Sequence, residues 1–198
     1  MSYGFLDIAV TPSVRAVHAK MGADRIWQDF KSHREFGRFT GDEVAFIADR
    51  DSFYIATVSE TGWPYVQPRG GPRGFLKVVD EKTLAFARLS RQPPIHQHRQ
   101  PRGRSPVLPV PHGLPHRARL KVYAHVETLA LDDEPDLTRL VTVPGYRAKL
   151  ERVFRLRLET FDWNCQQHII PRFTEQEVVE AIRPLRDRLA HLANNGGP

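Results

Sequence analysis

Four histidines, His96, His98, His112 and His116, stand in one run, RQPPIHQHRQPRGRSPVLPVPHGLPHR (91–117), and neutral imidazoles this close together raise a zinc site. The surrounding pattern does not build one. Neither cysteine nor carboxylate accompanies them, and the prolines prevent a helix that would converge them. The arginines of the run raise a nucleic-acid arm instead. The whole chain carries a formal charge of +6 and a pI near 9.8, but residues 88–114 hold five arginines and no carboxylate. Without those five, 24 basic residues face 23 acidic ones, so the basic excess belongs to the segment and no nucleic-acid partner is expected of the domain. Two further features could do chemistry. The single cysteine, Cys165, excludes an internal disulfide framework and reads as a small buried apolar residue, since no base or thiolate-stabilising neighbour is visible. The glycines of GGPRG (70–74) read either as a plain hairpin turn or as a place where backbone approaches a ligand closely.

The elements that must position these residues are legible on both sides of the proline-rich run. Thr11-Pro12 followed by SVRAVHAKMG marks a short helix, with an N-cap, a proline in the first turn and a terminal glycine. TGDE (40–43) is a capping box, so GDEVAFIADR should be helical. SFYIATV (52–58) is β-branched and aromatic, SETGWP turns the chain, and YVQPR begins the return strand. FLKVV and LAFA (84–87) continue the succession, which stops at Arg88. It resumes in RARLKVYAHVETLAL, where Leu120, Val122, Ala124 and Val126 alternate with polar residues, and in RVFRLRLETF (152–161), where Phe154, Leu156 and Leu158 do the same. A second capping box, Thr174 to Glu177, opens a C-terminal helix whose apolar face is Val178, Ile182, Leu185, Leu189 and Leu192, with a kink expected at Pro184. Short strands with helices at both ends predict a mainly β, α+β fold: a small antiparallel barrel or sheet with flanking helices. The N-terminus lacks the layout of a signal peptide, and no apolar run approaches the length of a membrane span, so a cytoplasmic protein with no membrane partner is expected.

At DSFYIATVSETGWPYVQPRGGPRGFLKVVDEKTLAFA (51–87) and FDWNCQQHIIPRF (161–173), the chain resembles the pyridoxamine 5'-phosphate oxidase-like proteins, the FMN-binding split-barrel family, in particular its branch of related FMN-binding proteins. The resemblance spans most of the chain outside residues 88–114. It implies one domain over 1–198, with N-terminal helices in 1–50, the barrel in 51–173 and a C-terminal helix and tail in 174–198. It further implies FMN as cofactor, a homodimer whose flavin sites lie across the subunit interface, and a small-molecule substrate or electron donor. Gln67, Arg69 and Gly70 would border the flavin, Phe86 and Ala87 would line the adjoining strand, and Trp163 and Arg172 would stand near flavin or substrate. His168 is the candidate donor to substrate. Lys77 is within reach of a phosphate by position, or is an ordinary strand lysine.

The family follows its LAFA-like strand with an arginine-bearing phosphate turn, a helix and an apolar strand. This chain has Pro93 in place of that arginine, then Pro106, Pro109 and Pro111 in place of the apolar strand. A back-translation read one nucleotide out of frame reproduces the family pattern across the gap, which implies a compensated frameshift over about residues 88–114. In the frame as it stands, 88–114 is expected to be irregular or disordered, with flavin binding impaired. The reading that results is an FMN-binding oxidoreductase similar to pyridoxamine 5'-phosphate oxidase. The alternatives are a non-catalytic flavin-binding or storage protein and, more weakly, a basic nucleic-acid-binding protein.

Overall fold

The structure, a computed structural model, describes residues 4–22, 36–90, 105–163 and 167–195. Two helices, α1 (Phe5–Ala9) and α2 (Pro12–Lys20), open the chain, and α3 (Gly41–Ala48) leads into the strands β1 (Ser52–Val58), β2 (Pro64–Gly70), β3 (Lys77–Asp80) and β4 (Thr83–Leu89). Then follow β5 (Ser105–Gly113), a turn of 3-10 helix, β6 (Ala118–Leu129), a short helix α4 (Pro135–Val141), β7 (Leu150–Trp163) and the long α5 (Glu175–Asn195). All strand pairs are antiparallel, in the order β2-β1-β5-β6-β7-β4-β3. This is the expected antiparallel sheet with flanking helices. None of the described helices is long and apolar enough to cross a membrane.

The sheet coils around one core. Phe53 and Ile55 of β1, Leu84 and Phe86 of β4, Leu120, Val122 and Val126 of β6, and Phe154 and Leu156 of β7 share a single buried cluster. Phe53 meets Phe86 edge-on at 5.2 Å and stacks on Phe75 at 5.6 Å, which brings strands from distant places in the sheet order together across the interior. A second, smaller cluster forms on the other face of β4, where Ala85 and Val153 pack under Leu137 and Val141 of α4. Sequence periodicity did not mark α4, a short helix led by a proline. Its two buried side chains, each contributing about 1.5–3 kcal/mol, hold it on the sheet.

Both capping boxes form. The Thr40 N–H donates to Glu43 Oε2 at 2.9 Å, and at the head of α5 the Thr174 N–H donates to Glu177 Oε2 at 2.7 Å while the Glu177 N–H returns a bond to Thr174 Oγ1. α5 runs on through Pro184.

The expectation of an irregular 88–114 is overturned where that segment is described. β4 continues to Leu89, and residues 105–113 form β5, a central strand between β1 and β6. The prolines fit because of where their missing N–H groups fall. Pro109 and Pro111 share one parity, and the ladder to β6 is interrupted between Val107 and His112, across both of them. The ladder to β1 over Leu108–Pro111 therefore uses the N–H groups of Leu108 and Val110. Pro106, of the other parity, lies beyond the end of that ladder. A lost ladder bond costs about 0.5–1.5 kcal/mol net. Burying an apolar side chain returns about 1.5–3 kcal/mol, and Val107, Pro109 and Pro111 are all buried. Burial wins, and the strand forms. Residues 91–104, with His96, His98 and Pro93, lie outside the described residues.

Candidate functional site

Alternation along β2 turns Gln67 and Arg69 inward and leaves Pro68 and Gly70 exposed. Arg69 is 1% exposed, and its Nη2 donates to Gln67 Oε1 at 2.8 Å. A guanidinium this deep is unusual, and burial followed by the like charge of Arg88 pushes the Arg69 pKa below its ordinary value, with Tyr65 opposing. Arg88 sits at the end of β4 in the same parity as the inward-facing Leu84 and Phe86. Its Nε lies 3.7 Å from Glu151, a partner 38% exposed to solvent. Arg69 thus feels the positive charge of Arg88, which itself lies beside the carboxylate of Glu151.

A cleft opens on the other face of β4, and neither arginine lines it. Ala87 and Leu89 form one wall, Gly71 and Phe75 another, and Thr142 and Tyr146 contribute the hydroxyls. Gly71 is required there, because a Cβ on it would come within 2.8 Å of the Phe75 ring. Phe86 and Ala87, expected to line the site together, point to opposite faces: Phe86 into the core against Phe53 and Phe154, Ala87 into the cleft.

The remaining sequence candidates lie elsewhere in the chain's fold. Trp163 ends β7, where a bulge opposite Tyr123 and Ala124 adds Glu159 and reverses the parity of the strand, so that Phe161 and Trp163 turn inward. The Trp163 indole donates to Glu43 Oε1 at 2.7 Å and meets Phe46 edge-on at 4.7 Å. Burial alone would raise the Glu43 pKa, but hydrogen bonds from Thr40 and Trp163 outweigh it and hold the carboxyl below its ordinary value. His168 is exposed with φ 61°, a left-handed conformation, and Arg172 is exposed as well. None of Trp163, His168 and Arg172 lines the cleft. Cys165 lies outside the described residues, and Lys77 is half-buried on β3.

Three residues escaped sequence reasoning. Arg88 was legible as the next inward position after Phe86. Thr142 and Tyr146 follow a helix that the sequence did not announce. Of the described residues that line the cleft, none is a carboxylate or an imidazole. The lining is mostly apolar, with Thr142 and Tyr146 as its hydroxyl-bearing residues.

No protein-family description matches the chain, and neither does any curated protein. Solved structures do match. A Lactobacillus delbrueckii protein provisionally named a pyridoxamine 5'-phosphate oxidase is 22% identical, with 65% of this chain and 96% of that one covered at a TM-score of 0.46. The FAD-binding protein of Mycobacterium smegmatis is 11% identical, with 64% and 96% covered at 0.44. A Clostridium acetobutylicum protein of the pyridoxinephosphate oxidase family, related to general stress protein 26, is 10% identical, with 69% and 94% covered at 0.44. The structures that this chain resembles are thus pyridoxamine 5'-phosphate oxidase-like and flavin-binding split-barrel proteins. At these identities and scores the likeness assigns no activity.

Proposed function

We propose that this chain binds FMN and acts as a cytoplasmic flavin-dependent oxidoreductase, similar to pyridoxamine 5'-phosphate oxidase in class but with its own substrate. The observation that carries the reading is the buried Arg69, held by Gln67 and pressed by the like charge of Arg88. A phosphate dianion is the natural counter-charge for such a pair. The cleft on the other face of β4 is apolar on most sides, a lining that suits contact with a flat heterocycle. By the family resemblance Gln67, Arg69 and Gly70 would border the flavin, Arg69 with Arg88 facing its phosphate, while Ala87 lines the cleft on the other face of β4. A bound flavin supplies the redox step, while the protein holds it, orients it and excludes water.

Trp163, Arg172 and the donor candidate His168 belong to this site if a second copy brings them to it. Exposed Tyr54, Val58 and Val66 give the outer face of β1 and β2 an apolar surface on which two copies could meet in the homodimer the sequence implies. The second reading is a flavin carrier without catalysis.

The visible spectrum of purified protein tests the proposal. Absorbance bands near 370 and 450 nm, with release of FMN on denaturation, are the expected outcome. Bleaching by NAD(P)H and recovery in air then separate enzyme from carrier. A colourless, folded protein that takes up no added FMN would overturn both flavin readings. The compensated frameshift remains a proposal of its own: a coding sequence that restores the family pattern over 88–114 should give tighter FMN binding than the chain as it stands.

A further inference from the structure

On β6 the odd-numbered residues face away from the core, and Arg119, Lys121 and Glu127 are the charged ones among them. Two of the three find their counter-charge on the neighbouring rung of β7. Lys121 Nζ lies 2.6 Å from Asp162, and Glu127 lies 2.7 Å from Arg155. Arg119 has none. It is half-buried, it enters no ion pair among the described residues, and its Nε is shut away without a hydrogen-bond partner. The residue directly opposite on β5 is His112, whose Nδ1 is likewise buried and without a partner. Directly opposed residues on one face of a strand pair have Cβ atoms about 4.5–5.5 Å apart, so an imidazole and a guanidinium share one small space.

The groups around the imidazole leave that charge uncompensated. Tyr54 of β1 meets the ring edge-on at 5.4 Å. Arg50, just past α3, donates from Nη1 to the His112 carbonyl at 3.1 Å, and the one carboxylate there, Asp49, is taken by Arg50 and Arg73. Burial, and then the charge of Arg119, hold the imidazole pKa below its ordinary value, with the Val110 backbone opposing. Both side chains keep part of their surface outside. Since Nδ1 and Nε are the buried atoms, the imidazole Nε2 and the guanidinium Nη atoms are those a ligand reaches. We infer that His112 and Arg119 form a binding site for a small oxyanion, a carboxylate or a phosphate, which accepts from Arg119 Nη and from the protonated imidazole Nε2 on the outer face of the sheet. The bound charge turns the repulsion between the two groups into attraction towards both. Binding therefore takes up a proton at His112 and strengthens as pH falls through the imidazole range. Gln67 and Arg69 point into the barrel instead, so the site stands independently of flavin. It belongs to the chain as it stands, because His112 lies in the proline-rich run.

Histidine-ring NMR of the full-length protein tests the site, with the His112 signal assigned by its loss in His112→Gln. Sodium sulfate and sodium acetate are titrated at about pH 6, where the ring is partly charged, against sodium chloride at matched ionic strength. A saturable movement of the His112 signal and a raised His112 pKa are expected with sulfate, acetate or both, and neither with chloride. A response to sulfate alone marks a phosphate-type ligand, and one to acetate alone a carboxylate. Arg119→Met should weaken the affinity at least about tenfold while its circular dichroism matches the parent. No such site exists if neither oxyanion does more than chloride, which the parent alone decides, or if folded Arg119→Met responds as the parent does. Flavin plays no part in the readout, so either result leaves the proposed function to its own spectrum.

Discussion

Glu43 does two jobs with one carboxylate. It caps α3 through the Thr40 N–H and holds the indole of Trp163, 120 residues away, at 2.7 Å. The first role is written in four consecutive letters of sequence. The second has no local signature, because the bulge at Glu159 that turns Trp163 inward appears only when β6 and β7 pair. The lowered pKa of Glu43 makes its contribution to stability present above the ordinary carboxylate value and lost as pH falls through the folded value. Thermal melts between about pH 6 and about pH 3 should show this loss, and Glu43→Gln should flatten it while costing about 1.5–3 kcal/mol near neutrality for the bonds to the charged group. His112 has the same sign for a different reason. Burial, then the charge of Arg119 across the strand pair, lowers its pKa, so the folded state resists a proton that the unfolded chain accepts. Its contribution is complete above about pH 6.5 and is lost as pH falls below it. Urea midpoints should therefore drop between about pH 7.5 and about pH 5.5, and by less in His112→Gln.

At the scale of elements, what could be read in advance was whatever depended on neighbours in sequence. The cap at Thr40, the strand Ser52–Val58, the alternation Leu120 to Val126 and the cap at Thr174 all form as the letters indicate. β5 is the opposite case. Three prolines argue against a central strand, and only the register against two neighbours reveals that each missing N–H falls outside a ladder. That account makes a sharp prediction about parity. Pro109 and Pro111 are tolerated, whereas Val110→Pro, between them, removes a bond to β1 and should cost at least about 1–3 kcal/mol in urea unfolding. A neutral result would mean that the β1–β5 ladder does not use the Val110 N–H.

For the molecule as a whole, the candidate site was legible in outline and not in arrangement. Gln67 and Arg69 come together, but Phe86 belongs to the core, and Trp163 stands with α3 rather than with the cleft. Which surface of a second copy completes the site is a property of assembly, which strand periodicity does not encode. Replacing Arg69 with Met keeps the volume and removes the buried repulsion with Arg88. The folded protein should be as stable as the parent or more so, as buried charges exchanged for apolar groups often are. Its FMN affinity should fall at least about tenfold, the loss of one charge-assisted phosphate bond, measured by fluorescence titration. Loss of stability with FMN affinity intact would mark Arg69 as structural.

The strand order also sets the time at which the barrel becomes possible. β4 ends at Leu89, yet its long partner β7 begins only at Leu150, and β1 waits for β5. During synthesis, then, the hairpins at the start of the chain leave the ribosome with open edges that nothing already made can cover. Closure is a late and nearly simultaneous event, awaiting the last strand. A fold with such remote pairings collects its nucleus slowly, and the interval before β7 emerges is when the nascent chain is most open to aggregation and most dependent on chaperones.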